Sequence, residues 1–263
     1  MQIIRSKDET KIIMDGLYLK YANPGFIEND PIQIPHRFSK KEDIEIAAIL
    51  TATISWGNRK SIVQSADRLL KVMGKSPFEF VSNFSHSDIK SLDSFVHRTF
   101  NSSDCTNYIK VLNKICQHEN GLENIFLEGY RREGSIKSAI VNYRETFIKY
   151  STNHHTLKHI PDLDKNSAGK RINMFLRWMV RPSSEGIDFG LWEGMPKSAL
   201  MIPLDVHSSK IARQLGLINR KQNDWKTVEA LTKVLREFDR DDPTKYDFAL
   251  FGLGVNNDFN FSI

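Results

Sequence analysis

Two side chains in one basic stretch carry the chemistry that this sequence offers. Lys170 ends the turn Asn166-Ser167-Ala168-Gly169-Lys170, where a helix begins, and Asp205 stands in Pro203-Leu204-Asp205-Val206-His207, where another begins. A neutral lysine amine is a nucleophile, and a neighbouring aspartate steadies a developing cation or activates the attacker. Together they suit cleavage of the bond between a base and its deoxyribose. A helix dipole and the adjacent Arg171 both disfavour charge on a lysine at this position. The ordinary alternative is a surface lysine on a first turn. Asp205 also has an ordinary role, as the N-cap of the helix Val206–Leu215. The roles are compatible, because a carboxylate held by backbone N–H groups is fixed in direction and stays ionised.

Other residues would position a substrate for that pair. The N–H groups of the small-residue turn, with Ser167 and Gly169, can meet a phosphate, with or without a bound monovalent cation. Arg171 and Arg177 add cations, and His207 can donate to a phosphate. The turn Ser55-Trp56-Gly57-Asn58-Arg59-Lys60 combines an aromatic, a glycine, an amide and two cations. That set suits a wedge filling the space of an extruded base, or an ordinary capping turn. Phe248 and Phe251, three apart on one helix, suit a stacking wall for a base, with core packing as the default. Trp192 has the same two readings. His154, His155 and His159 have no accompanying carboxylate motif, so a solvated linker is expected there, with no metal.

The bulk properties agree with a folded protein and a polyanion partner. The chain has 263 residues, 40% hydrophobic and 26% charged, with a net charge of +5 and a pI near 9.1. Between Asp164 and Lys221 stand ten Lys/Arg and five Asp/Glu, so this segment carries an excess equal to that of the whole chain. Positive charge therefore concentrates around the candidate site, where a phosphate backbone would lie. Two cysteines, Cys105 and Cys116, are too few for a disulfide framework, a zinc cage or a four-cysteine iron–sulfur cluster. A reducing cytoplasmic setting is expected. Neither a signal peptide nor a membrane span is visible in the sequence.

The elements that must hold these residues read as helices throughout. Helical periodicity or punctuation marks Lys11–Tyr21, Ile44–Trp56 (opened by Ser39/Asp43), Lys60–Met73, Pro77–Val81, Asp104–Gln117, Leu122–Glu128 and Ser135–Tyr150. Gly169–Arg181, Val206–Leu215, Asp224–Phe238 and Pro243–Gly254 follow. Asn23–Pro35 reads as a loop and Ser151–Asp164 as a polar connector. Alternating strand patterns are nearly absent, so the fold is expected to be all-α.

At these residues the chain resembles the helix-hairpin-helix DNA glycosylase superfamily. That family ends a G-x-G-x-K hairpin with a lysine and sets an aspartate in V-D-x-H before a helix. Asn166–Lys170 resembles the first and Pro203–His207 the second. Ile49–Trp56 resembles the early helix and the turn that enters DNA, and Phe248–Gly252 resembles a late helix near the base pocket. Both hairpin glycines are replaced, by Asn166 and Ala168. The long interval from Lys170 to Asp205 and the missing cluster cysteines are features of 8-oxoguanine branches. The block Lys170–Arg181 also resembles a bacterial family of conserved hypothetical proteins with no established activity.

The resemblance implies one glycosylase-like unit over 1–263, two-lobed, with its cleft between the lobes. Lobe one, about 44–181, would be a helical barrel with the hairpin. Lobe two would be about 1–43 plus 182–263. It also implies a monomeric, nucleoid-associated DNA-repair glycosylase and β-lyase for an oxidised purine in duplex DNA, with no cofactor beyond a possible hairpin cation. A non-catalytic DNA-binding or damage-sensing protein on the same scaffold is the alternative.

Overall fold

The structure, a computed structural model, describes residues 6–182 and 184–256. Its α-helices are α1 (Lys7–Tyr21), α2 (Gly25–Glu28), α3 (Lys41–Thr53), α4 (Arg59–Met73), α5 (Pro77–Asn83), α6 (His86–Lys90) and α7 (Ser102–His118). They continue with α8 (Leu122–Glu133), α9 (Ile136–Tyr150), α10 (Lys170–Val180), α11 (Val206–Gln214), α12 (Trp225–Phe238) and α13 (Tyr246–Asn256). There is no strand among the described residues, only an isolated bridge between His97 and Phe100. The all-α expectation therefore holds. No helix among the described residues is long and apolar enough to cross a membrane.

The chain divides into two compact units, 27–162 and 1–26 with 163–263. In the central unit α3 is buried from Asp43 to Thr53, so it is covered on every side. Its start is set at Lys40 rather than at Ser39 or Asp43. Asp43 is occupied elsewhere: its Oδ1 accepts from Ser76 Oγ at 2.7 Å and from Phe78 N at 2.9 Å, tying α3 to the start of α5. Helices α8 and α9 pack face to face through Gly129, where a Cβ would come within 2.6 Å of Asn142 Cβ and 2.8 Å of Ala139 Cα. Inside, Thr53 Oγ1 donates to Tyr108 OH at 2.8 Å, and the Tyr108 and Tyr143 hydroxyls share a 2.6 Å bond. That chain satisfies three buried hydroxyls, each costly to leave unpaired.

The second unit joins the N-terminal helix to everything after Asp162. Helices α1 and α11 both pack on α13. The contacts are close because α13 offers glycines: a Cβ on Gly252 would enter the Tyr21 ring, and one on Gly254 would lie 2.9 Å from His207 Cβ. Helix α10 is buried from Ile172 to Val180.

Three sequence expectations are corrected. Helix α10 clusters with the chain ends, so the divisions fall at 26/27 and 162/163 instead of 43/44 and 181/182. The reason is electrostatic as well as apolar, because Arg177 of α10 and Arg181 at its C-cap bind carboxylates that all lie further along the chain. The segment 151–164 is no solvated linker: it forms a 3-10 helix, His154–His159, with Thr156 and His159 buried. The stretch from Asn23 to Pro35 is not a plain loop, since Pro31 and Pro35 each open a 3-10 turn at a position where proline lacks only an unneeded N–H.

Candidate functional site

Lys170 is the first residue of α10, and Gly169 before it adopts a left-handed φ of 59°. No side chain caps this helix, and its first turn holds two cations and no acid. Asn166 also has positive φ, 62°, so the turn is bent at both ends. Within it Gly169 N donates to Ser167 Oγ at 3.3 Å, and Asn173 Nδ2 donates back to Ala168 O at 3.3 Å. An uncapped helix start exposes N–H donors and the positive end of the dipole, which suits an anion. The half-buried Lys170 directs Nζ along the helix to Met174 Sδ at 3.7 Å. Sulfur is a weak acceptor, so the amine is loosely held.

Asp205 is the N-cap of α11. Its Oδ1 accepts from Ser208 N at 2.8 Å and Ser208 Oγ at 3.0 Å, so Oδ2 takes no part in these two bonds. The cap therefore fixes the carboxylate's direction, as its place in the sequence implies.

A third carboxylate lies in the same unit. Asp247, near the start of α13, is buried, and its pKa is pushed up to about 7. Burial is the largest cause; Arg177 opposes it, Asp205 adds to it, Lys170 opposes it and Asp188 adds to it. The charges of Lys170 and Asp205, 35 positions apart in sequence, are thus both felt at one buried carboxyl. Beneath it lies a ladder of ion pairs. Arg177 binds Asp247 through Nη1 and Asp188 through Nε at 3.2 Å. One turn on, Arg181 binds Asp188 at 3.1 Å, Asp242 at 2.9 Å and the Tyr18 hydroxyl at 2.8 Å. Tyr18 also donates to Glu185, and burial together with that acceptor pushes its pKa up to about 12. Removing one partner from such a buried network costs far more than the network contributes as a whole.

Several expected site residues have other duties. Arg177 is 2% exposed and bound on two sides, so it is not a surface contact for phosphate. Phe248 is fully buried, with Phe26 edge-on at 5.1 Å and the Arg177 guanidinium 4.3 Å from its ring centre; it supports the ladder rather than lining a wall. Trp192 is buried edge-on against Phe175 and belongs to the core. Phe251 is half-buried, 6.0 Å from Phe26. Arg171 and Ser167 are half-buried, Gly169 is buried, and His207 is exposed.

In the central unit, Trp56 is half-buried, stacked on His159 at 5.5 Å with His97 at its edge. Gly57 has a φ of 101° and lies so close to Arg98 that a Cβ would meet its guanidinium at 2.6 Å. Asn58 is exposed and caps α4 by accepting from Ser61 N, and Arg59 is half-buried.

Two features escaped the sequence reading. Asp247 stands alone in an otherwise apolar run from Tyr246 to Gly254, which is itself a signal, because an isolated acid on a buried helix needs a partner. The other is the group Asp104, His155 and His159, whose ligand atoms lie within 4.8 Å of one another. Asp104 reads in sequence only as the third residue of a capping box with Asn101, and nothing local ties it to residue 155 or 159.

No curated protein matches the chain, and neither does any solved structure. Residues 30–256 match the family described as "Protein of unknown function (DUF2400)". That span takes in α3 to α13, with Lys170, Asp205 and Asp247 inside it, and the chain belongs to that family.

Proposed function

We propose that this protein is a DNA-repair glycosylase with lyase activity, acting on an oxidised purine flipped out of duplex DNA. The observation that carries this reading is the pair of helix starts: Lys170 opens α10, a helix without a side-chain cap, with its amine on Met174 Sδ, and Asp205 is fixed in direction as the N-cap of α11. A loosely held amine and a carboxylate aimed by its own cap supply a nucleophile and a proton acceptor.

In this reaction the neutral Lys170 amine attacks C1′ of the flipped nucleotide while the C1′–base bond breaks, its electron pair leaving with the purine. Asp205 offsets positive charge at the sugar as that bond lengthens. A proton leaves the amine for Asp205 and passes to the departing base. The C1′–O4′ bond then opens, its oxygen taking a proton, and a lysine–C1′ iminium remains. Loss of a C2′ proton expels the 3′ phosphate and nicks the strand. The uncapped start of α10, with Arg171 beside it, would hold a backbone phosphate.

The test is single-turnover assay and borohydride trapping on duplexes carrying oxidised, deaminated or abasic sites. Wild-type protein should release a base and trap covalently on at least one of them. Lys170→Gln should abolish trapping while lesion-duplex binding persists. Wild-type protein that binds duplex yet neither releases a base nor traps on any substrate would instead favour a non-catalytic damage sensor.

A further inference from the structure

We propose that Asp104, His155 and His159 form a binding site for a divalent transition metal of the zinc class. These residues belong to the central unit, and the proposal is independent of the Lys170 chemistry. Asp104 lies in the first turn of α7, and the two histidines lie four apart on the 3-10 helix His154–His159. His155 Nδ1 stands 2.8 Å from Asp104 Oδ1, and His159 Nε2 stands 3.3 Å from Asp104 Oδ2. Around a tetrahedral zinc with bonds of about 2.0–2.1 Å, ligand atoms are separated by about 3.3 Å. Each imidazole thus already stands beside its own oxygen of the carboxylate, and one ligand atom from each of the three residues lies within 4.8 Å of the others, so modest adjustment brings them to that spacing.

The donor set and its surroundings favour this class of ion. Two imidazoles and one carboxylate suit zinc and its divalent neighbours, not calcium or magnesium, which take oxygen shells. Asp104 is oriented by Asn101 N at 3.1 Å and by Thr156 Oγ1 at 3.1 Å, as ligating carboxylates usually are. His159 is walled by Trp56, stacked at 5.5 Å, and by the edge of Phe100 at 4.9 Å. The side chain of Asp104 is wholly buried and that of His159 nearly so, whereas that of His155 is 49% exposed, giving an ion an entry on one side. Three protein ligands and one solvent-facing position make an open site. In the ion-free arrangement each imidazole N–H donates to Asp104, and Lys158 Nζ donates to His155 Nε2. On binding, the ion takes the place of both donated protons as each imidazole passes to its other tautomer, His155 carrying its proton on Nε2 and His159 on Nδ1, and the exposed Lys158 swings away. Because His159 stacks on Trp56, the ion would also fix Trp56 and the turn that follows it.

The experiment uses full-length protein stripped with chelator. Zn²⁺ is titrated by calorimetry, and Co²⁺ is followed by its visible d–d absorption. One equivalent should bind, with an intense four-coordinate cobalt spectrum and a raised melting temperature. His155→Ala, at an exposed position that leaves the core intact, should weaken binding about 100-fold or more. Lys158→Ala should bind at least as tightly as wild type, since it removes a competing donor and a repelling charge. His118→Ala, an exposed histidine at the far end of α7, should bind as wild type does. Absence of stoichiometric binding, or equal affinity in His155→Ala, would overturn the proposal and leave the three residues as a hydrogen-bonded clamp.

Discussion

Asp247 is the group whose titration reports on the candidate site. Unfolded, its carboxyl ionises near 3.8; folded, near 7. Between those values the folded protein holds a proton that the unfolded chain has shed. This contribution is therefore full below 3.8 and falls as pH rises towards 7, by on the order of a few kcal/mol. Asp247→Asn removes the titration. Relative to wild type, the variant should gain stability steadily as urea melts are moved from pH 4 to pH 7. A constant difference across that range would show that Asp247 is not the titrating group. Asp205→Asn keeps the shape and the cap, since Asn and Asp cap equally well. Its melting temperature should stay near that of wild type, while base release in single turnover falls by about 100-fold or more. A surface role for Asp205 would leave turnover unchanged.

At the scale of helices, two glycines make opposite predictions. Gly129 stands where α8 crosses α9, and a Cβ there meets backbone atoms of Ser138 and Ala139 that cannot step aside. Gly129→Ala should destabilise by about 1–3 kcal/mol, despite alanine's better helix propensity. Gly16 is exposed within α1, and a Cβ added there would have nothing within 4 Å. Gly16→Ala should stabilise by about 0.5–1 kcal/mol. Chemical denaturation of both variants checks the pair, and the same sign for both would contradict the packing described. The buried hydroxyl chain offers a third case. Tyr108→Phe removes the hydroxyl that bonds both Thr53 Oγ1 and Tyr143 OH, so a loss of about 1–3 kcal/mol is expected in the same experiment.

For the molecule as a whole, the distribution of charge decides how it should bind a polyanion. The excess of Lys/Arg from 164 to 221 is real in the sequence, but part of it is internal. Arg177 and Arg181 are consumed by Asp188, Asp242 and Asp247. A DNA footprint must therefore rest on cations of this segment other than these two, such as the half-buried Arg171 at the start of α10. Arg171→Glu should weaken duplex binding and lower the slope of log affinity against log salt by roughly one for each phosphate it ceases to neutralise. Lys137→Glu on α9 should change neither. Equal weakening by both would place the footprint elsewhere. Arg177→Glu would set a further carboxylate against Asp188 and Asp247, and the protein should fail to fold rather than merely lose affinity.

The sequence by itself determined the helices, because caps, glycine stops and apolar periodicity are local. Gly74 ends α4 where it stands in the chain and Asp205 opens α11 as its neighbours require, although α8 runs on past the expected Glu128 to Glu133 and its cap Gly134. It also determined that Lys170 begins a helix. It did not determine which charges face inward. Arg171 and Arg177 look alike in the chain, yet Arg177 falls on the buried face of α10, where burial is tolerable only beside Asp188 and Asp247, which come from distant segments. Phe248 and Trp192 went to the core for the same reason: whether an aromatic faces solvent depends on what packs against its helix or loop. Ser151–Asp164 looked solvated because its residues are polar, but Asp104, brought from α7, gives its histidines a buried partner. Local propensity acts over a few residues and can be read directly. Pairing of buried charge acts through space, and only the tertiary structure brings the partners together.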